Sequence, residues 1–240
     1  PMFAMKPAPV QATWLGYPNT TGLPQMDFRI TDAVADPLGQ TEHLHTEQLI
    51  YMPDIFLSFT PMQNPPCTPL PESEDGQLTL CSFNNLSKIS DITLGLWGEI
   101  MAQLPEARLL LKFAFLGDEL SRQVLQYRLA KNGIEQSRVD MLGFTATKES
   151  HLALYGKANL ALDSYPYHGT TTTCEALWMG VPVITLAGAA HDSRVSASIL
   201  TTIGCTELIA ENKADYVAKA VALARDRARQ QYYRHNLRSK

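Results

Sequence analysis

The chain has 240 residues, of which 45% are apolar, and a formal net charge of -4 from 20 basic and 24 acidic side chains. That length allows one large domain, or one domain and part of another, around a sizeable core. The charge balance excludes a general nucleic-acid surface, and no apolar run reaches the roughly 18 residues of a membrane span.

From the start of the chain, residues 1–64 are rich in Pro, Gly and Thr and poorly periodic, with short strand-like pieces at Val10–Leu15 and Phe28–Thr31. The opening residues Pro1–Lys6 lack the apolar stretch of a signal peptide. Residues 65–77 are expected to be a linker, because their prolines fix extended backbone and their acidic residues favour solvation. From residue 78 the pattern alternates. Strands are predicted at Leu78–Ser82, Arg108–Phe113, Val139–Leu142, Leu160–Asp163, Pro182–Leu186 and Glu207–Ile209. Helices are predicted at 90–104, 118–132, 148–156, 171–179, 191–202 and 212–229. Six strand–helix units imply an α/β fold with a doubly wound, Rossmann-like parallel sheet over 78–240. The four cysteines (Cys67, Cys81, Cys174, Cys205) form no CxxC pair. That disfavours zinc and suits a reducing cytoplasm.

Ligands of such sheets bind beyond the carboxyl ends of the strands, so the loops there carry the chemistry. The loop Phe83-Asn84-Asn85-Leu86-Ser87-Lys88 offers two carboxamides and an ammonium to an anion, or is simply a polar turn. In the next informative loop, Thr147 with Ser150, or Thr145 with Lys148, is expected to cap a helix whose first turn carries His151. That histidine either contacts a base or ribose, or is a partly exposed helix residue. The richest stretch is His168-Gly169-Thr170-Thr171-Thr172-Thr173-Cys174-Glu175. A glycine and four threonines at a strand-to-helix turn suit a phosphate, which free helix N–H groups bind well. The alternative is an ordinary threonine cap. Glu175 either accepts from a ribose diol or offsets the helix dipole, and His168 either touches the ligand or packs in the loop. GxGxxG and GxxxxGK[ST] are both absent, and no His/Cys/Asp cluster has metal-ligand spacing.

Four segments, in order, carry a resemblance. Lys6-Pro-Ala-Pro-Val-Gln-Ala-Thr-Trp-Leu-Gly-Tyr-Pro18, Phe83–Lys88, Leu162–Pro182 and Ser193-Arg-Val-Ser-Ala-Ser198 resemble the catalytic region of protein O-linked N-acetylglucosamine transferases and the related SPINDLY-type proteins. The resemblance covers nearly the whole chain. It implies a GT-B fold, with 1–64 as part of an N-terminal catalytic lobe and 78–240 as the nucleotide-sugar domain. It implies inverting transfer of N-acetylglucosamine from UDP-N-acetylglucosamine to Ser or Thr of an acceptor protein, with no cofactor and no metal, in the cytoplasm. By position, Lys88 stabilises the leaving diphosphate and Asn85 contacts phosphate. Ala146, Lys148 and His151 hold the nucleobase. Gly169, Thr170, Thr171 and Thr172 meet the diphosphate, and Glu175 binds the ribose. There are departures. Lys6 replaces Arg, Asn19 replaces Gly, and Thr170 stands where animal enzymes carry His. The four-threonine run is nearer the SPINDLY type, some of whose members use GDP-fucose. The family's tetratricopeptide repeats, and most of the lobe that precedes the first of these segments, are not in this sequence. That leaves a nucleotide-sugar-binding unit without turnover as a further expectation.

Overall fold

The computed structural model describes residues 2–71 and 78–240. Two parallel sheets organise them. The first consists of β1 (Ala12–Thr13), β2 (Phe28–Asp32) and β3 (Gln48–Met52), in that order. The sequence pattern overstates β1, which is two residues long, and misses β3. Exposed residues alternate along β3 with half-buried ones, so it lacks a buried apolar run. Of the expected linker, residues 65–71 have no regular secondary structure, and 72–77 lie outside the described residues.

The second sheet contains β4 (Leu78–Ser82), β5 (Ala107–Lys112), β6 (Val139–Leu142), β7 (Leu160–Leu162), β8 (Val183–Leu186) and β9 (Ile209–Ala210). Its order is β6-β5-β4-β7-β8-β9, and every neighbouring pair is parallel. β7 and β8 are buried along their whole length, as a sheet covered by helices on both faces requires. The helices are α1 (Asp91–Gln103), α2 (Glu119–Lys131), α3 (Lys148–Ala153), α4 (Thr171–Trp178), α5 (Val195–Thr202), α6 (Lys213–Arg225) and α7 (Arg227–Asn236). Side-chain caps start several of them. The oxygens of Ser90, Asp118, Thr147 and Asn212 accept the N–H groups of Thr93, Ser121, Ser150 and Asp215. The single helix expected over 212–229 is two helices. Asp226 leaves the helical conformation and caps the second, accepting from the Arg229 N–H at 2.9 Å. The helices expected at 148–156 and 191–202 are shorter, because 3-10 turns occupy Leu154–Lys157 and His191–Ser193. The core lies against this sheet around Leu80, Leu109, Leu111, Leu160 and Trp97, all fully buried.

Strand order reverses between β4 and β7, and a doubly wound sheet opens its ligand crevice at such a switch point. The loops leaving these two strands are 83–89 and 163–170. The first sheet packs over the same end of the molecule through buried polar contacts. The Ser198 hydroxyl donates to Asp32 at 2.6 Å, and Arg194 Nε donates to the Val34 carbonyl at 2.7 Å. Asp36, fully buried, sits 2.7 Å from His191 Nδ1 and 3.0 Å from His45 Nε2. Burial pushes the Asp36 carboxyl up, but the two histidines and Thr31 outweigh it and hold it well below the usual carboxylate range.

Candidate functional site

A cleft of about 600 Å³ opens between the two sheets, within the range of small-molecule sites. One wall is built from Leu15, Gly16, Pro18, Leu57 and Ser58. Leu15 and Gly16 both take positive φ, 59° and 75°, which bends the chain into the opening; Leu15 does so against the preference of a side-chain-bearing residue. The other wall comes from the loop after β4 (Phe83, Asn84, Asn85, Lys88), from Phe113 and Tyr167, and from Thr170, Thr171 and Thr172 at the start of α4. The switch-point loops therefore bring the Asn85–Lys88 turn and the threonine turn onto one cleft, although about 80 residues separate them in sequence.

Lys88 ends a short 3-10 turn, Leu86–Lys88, which Asn85 caps by accepting the Ser87 N–H at 3.1 Å. The Lys88 ammonium donates to the His168 carbonyl at 2.8 Å and lies 4.1 Å from the centre of the Tyr167 ring. Burial lowers its pKa, and the charge of Asp163 works the other way.

At α4, Thr170 occupies the cap position, yet its side chain makes no capping hydrogen bond. No Thr170 hydroxyl therefore occupies the first-turn N–H groups, unlike in an ordinary threonine cap, and this turn lines the cleft. Gly169 is required for close packing. A Cβ there would lie 2.6 Å from Thr172 Oγ1, 2.7 Å from Thr173 Oγ1 and 2.9 Å from Asn84 Oδ1. Asp163, just past β7, organises the loop. Its Oδ1 accepts the N–H groups of Ser164 and Gly169 at 2.9 and 2.8 Å, and its Oδ2 accepts the Thr185 hydroxyl at 2.8 Å. His168 takes the packing alternative. It is fully buried, its Nε2 lies 2.9 Å from the Leu186 carbonyl, and burial depresses its pKa towards the neutral ring.

Glu175 lies four residues past Thr171, where α4 starts as the sequence suggested, and the first turn contains no acidic residue. Compensation of the helix dipole is therefore not its role. Its carboxylate is buried and bound on both oxygens, Oε1 by Lys148 and Oε2 by His151 Nε2 at 2.8 Å. Burial pushes the carboxyl up, and the hydrogen bonds and charges of His151 and Lys148 overcome that and hold it down. A second cavity of about 220 Å³ includes Lys148, Glu175, Leu152 and the 58–62 segment, and it shares Ser58 and Thr171 with the main cleft. His151 packs on Phe83 and Tyr155, with ring centres 5.7 and 5.8 Å away. Ala146 is exposed in the 143–147 loop and lines neither cavity.

Sequence reasoning named Asn84 only as one of two carboxamides that could face an anion, and it missed Tyr167, Phe113, the 57–62 wall and Lys112. Lys112 ends β5 and is 7% exposed; burial lowers its pKa, and the nearby Glu175 offsets this. A lysine at the carboxyl end of a buried parallel strand was the available signal. Among the described residues no group of three or more His, Cys, Asp or Glu could hold a metal ion, and no helix is long and apolar enough to cross a membrane.

The family model described as Glycosyl transferase family 41 matches residues 1–61 and 70–240. A protein of Eustoma exaltatum subsp. russellianum, named probable UDP-N-acetylglucosamine–peptide N-acetylglucosaminyltransferase SPINDLY, is 45% identical over 226 residues, 94% of this chain and 24% of that protein. The UDP-N-acetylglucosamine–peptide N-acetylglucosaminyltransferase of Caenorhabditis elegans is 26% identical over a gapped alignment 341 positions long, which covers 94% of this chain and 29% of that protein. The chain thus spans about a quarter of the length of these curated relatives. Among solved structures, a point mutant of Thermobaculum terrenum O-GlcNAc transferase superposes with a TM-score of 0.87 at 37% identity, covering 99% of this chain and 45% of that one. A mutant of S. aureus TarM shares the fold alone, with a TM-score of 0.56 at 13% identity over 90% of this chain and 40% of that one. The architecture is α/β of the GT-B type.

Proposed function

The chain belongs to glycosyl transferase family 41, and from that premise we propose that it binds UDP-N-acetylglucosamine and serves inverting transfer of the sugar to Ser or Thr hydroxyls of proteins. One observation carries this reading: an ammonium, Lys88, and a helix start without a side-chain cap, at Thr171–Thr172, open onto the same cleft. A diphosphate laid between them meets a charge on one side and backbone N–H groups on the other. Both stabilise the negative charge that grows as the sugar–phosphate bond breaks. The acceptor hydroxyl attacks the anomeric carbon from the face opposite the leaving diphosphate, and the enzyme's contribution is positioning together with this charge stabilisation. In this reading Asn85 reaches a phosphate oxygen. The nucleoside extends towards the second cavity, where Glu175 meets the ribose and Lys148, His151 and the Ala146 loop meet the base. Because both Glu175 oxygens are already engaged, a ribose diol shares that carboxylate with Lys148 and His151. Residues 1–64 act as part of an N-terminal lobe forming one cleft wall, 65–77 as the linker and 78–240 as the donor-binding domain. A cytoplasmic setting, metal-independent turnover and a protein acceptor belong to the same proposal.

Calorimetry with UDP, UDP-N-acetylglucosamine and GDP-fucose, beside a transfer assay on a chain that carries the preceding family segments, tests it. UDP binding with transfer of N-acetylglucosamine supports the reading. GDP binding without UDP binding overturns the donor assignment in favour of fucose. Binding without transfer in that longer chain reduces the protein to a nucleotide-sugar-binding unit.

A further inference from the structure

Asn84 is 5% exposed, yet it edges the cleft. Its carboxamide faces two partners. Nδ2 donates to Asp163 Oδ1 at 3.2 Å, and Oδ1 accepts from the Thr172 hydroxyl at 2.6 Å. Chemistry fixes this orientation. Asp163 Oδ1 already receives the backbone N–H groups of Ser164 and Gly169, which can only donate. It is therefore an acceptor, and only the NH₂ end of Asn84 can face it. The carbonyl end of Asn84 has no proton to give, so Thr172 supplies the one in their bond. A hydroxyl has a single proton. With that proton directed to Asn84, Thr172 Oγ1 presents only lone pairs to the cleft, which repel rather than bind a phosphate oxygen. On the far side, the Tyr155 hydroxyl donates to the Thr172 carbonyl at 3.1 Å.

Resting on the nucleotide-sugar reading above, we propose that Asn84 and Asp163 are positioning residues that turn the Thr172 hydroxyl away from the ligand, so that Thr172 meets the diphosphate through its backbone N–H. The sequence highlights four threonine hydroxyls; in this arrangement the second hydroxyl of the α4 first turn ties the helix to the loop after β4.

The test is Asn84→Asp. It sets a second carboxyl beside that of Asp163, and two carboxyls so close share one proton while one is available. Protonated, the new side chain reproduces both bonds, O–H to Asp163 and carbonyl to the Thr172 hydroxyl. Deprotonated, it repels Asp163 and the tie opens. The other titratable groups around this pair are Lys88, Tyr155, Tyr216, whose hydroxyl donates to the Asp163 carbonyl at 2.9 Å, and His168, whose Nδ1 lies 3.6 Å from Asp163 Oδ2. UDP affinity is measured by calorimetry on the full 240-residue chain from pH 5 to pH 9, and the ratio of variant to wild type is read at each pH. The expected ratio is near one at pH 5 and falls at least about tenfold by pH 9, the size of one lost hydrogen bond. A pH-independent ratio, whether near one or low throughout, overturns the positioning role while leaving the nucleotide reading intact. A wild type that binds neither UDP nor GDP overturns both. If Asn84→Asp does not fold, Thr172→Ser and Thr172→Val decide. Serine keeps the tie and should bind UDP like wild type, valine about tenfold more weakly; equal affinities for the two overturn the proposal.

Discussion

Gly169→Ala tests how tightly the threonine turn is built. The added methyl would sit 2.6 Å from Thr172 Oγ1, 2.7 Å from Thr173 Oγ1 and 2.9 Å from Asn84 Oδ1, all well inside van der Waals contact. These atoms cannot simply rotate away. Thr172 is bonded to Asn84 at 2.6 Å, and Thr173 shares a 2.9 Å hydrogen bond with the buried Ser196 hydroxyl. Moving the loop instead would strain the 2.8 Å bond from the Gly169 N–H to Asp163 and the 3.0 Å bond from Ser196 to the Gly169 carbonyl. Overpacking of this kind costs about 1–3 kcal/mol, and each buried hydrogen bond lost adds about 1 kcal/mol. A loss of two bonds gives about 3–5 kcal/mol, or a melting temperature lower by roughly 6–20 °C for a chain of this size. UDP affinity should fall by at least about tenfold, because the displaced threonines line the cleft. Thermal melting and calorimetry read the two effects. Gly117→Ala is the control, since nothing lies within 4 Å of a Cβ there, and it should melt like wild type. A Gly169→Ala protein that melts within about 2 °C of wild type and binds UDP with the same affinity refutes the reasoning.

Lys88→Met removes the ammonium and keeps an apolar stem beside Tyr167, so UDP affinity should drop by roughly 10- to 100-fold, the worth of a charged hydrogen bond; calorimetry showing wild-type affinity would remove Lys88 from the diphosphate site. Glu175→Gln leaves Lys148 and His151 facing an uncharged group, and should destabilise by about 1–3 kcal/mol in a urea titration; an unchanged midpoint would show that this carboxylate holds neither. Asp36, Glu47 and Glu175 are all held below their ordinary pKa, Glu47 to about 2 by Thr20 and Thr21 against the upward push of burial. Depressed carboxyls stabilise above their unfolded values near 4 and lose that stabilisation as pH falls through the folded ones, so melting should drop by roughly 5 °C or more between pH 6 and pH 3, and a flat profile there counts against the buried pairs. Transfer by a chain carrying the preceding segments should keep its initial rate in EDTA, and its abolition would show that a metal carries the leaving charge.

The second sheet was legible because most of its strands are short, apolar-rich runs separated by helices, several of them capped, and the sequence pattern reports those features directly. The cleft at the carboxyl ends of its strands followed from topology, since carboxyl-end loops are where such sheets bind. The first sheet was obscure for the opposite reason. β3 alternates between exposed and half-buried residues, and β1, read within the strand-like Val10–Leu15, is only two residues long. The break at Asp226 was missed because both flanking segments are helical and only the capping role of the aspartate divides them. In the site, composition found the threonines, Lys88 and Glu175 but could not tell hydroxyl from N–H, or a free charge from a paired one. Those distinctions depend on partners far away in sequence, such as Asn84 for Thr172 and His151 for Glu175. The wall at Leu57 and Ser58 has no chemical signature, because it contributes shape alone.

Charge pairing separates the two lysines that the sequence put forward. Lys148 is matched by Glu175, which also takes His151, so that cluster has little net field to offer an anion. Lys88 is held differently. Its hydrogen bond goes to a carbonyl, that of His168, and its other near neighbour is the face of Tyr167. Neither partner carries a formal charge, and among the described residues no carboxylate lies within ion-pair distance of it. A carbonyl and a ring fix the direction of the ammonium without cancelling it, so its charge remains available across a half-buried cleft where water screens it less than at the surface. Burial lowers its pKa, and an incoming dianion reverses that pressure by favouring the charged form. The two lysines therefore suit different tasks. In the proposed reading, Lys148 orders a carboxylate beside the nucleoside, and Lys88 meets a diphosphate whose negative charge rises during the reaction. Exchanging these arrangements, with a carboxylate placed against Lys88 by Tyr167→Glu, should abolish UDP binding while Lys88 itself stays in place.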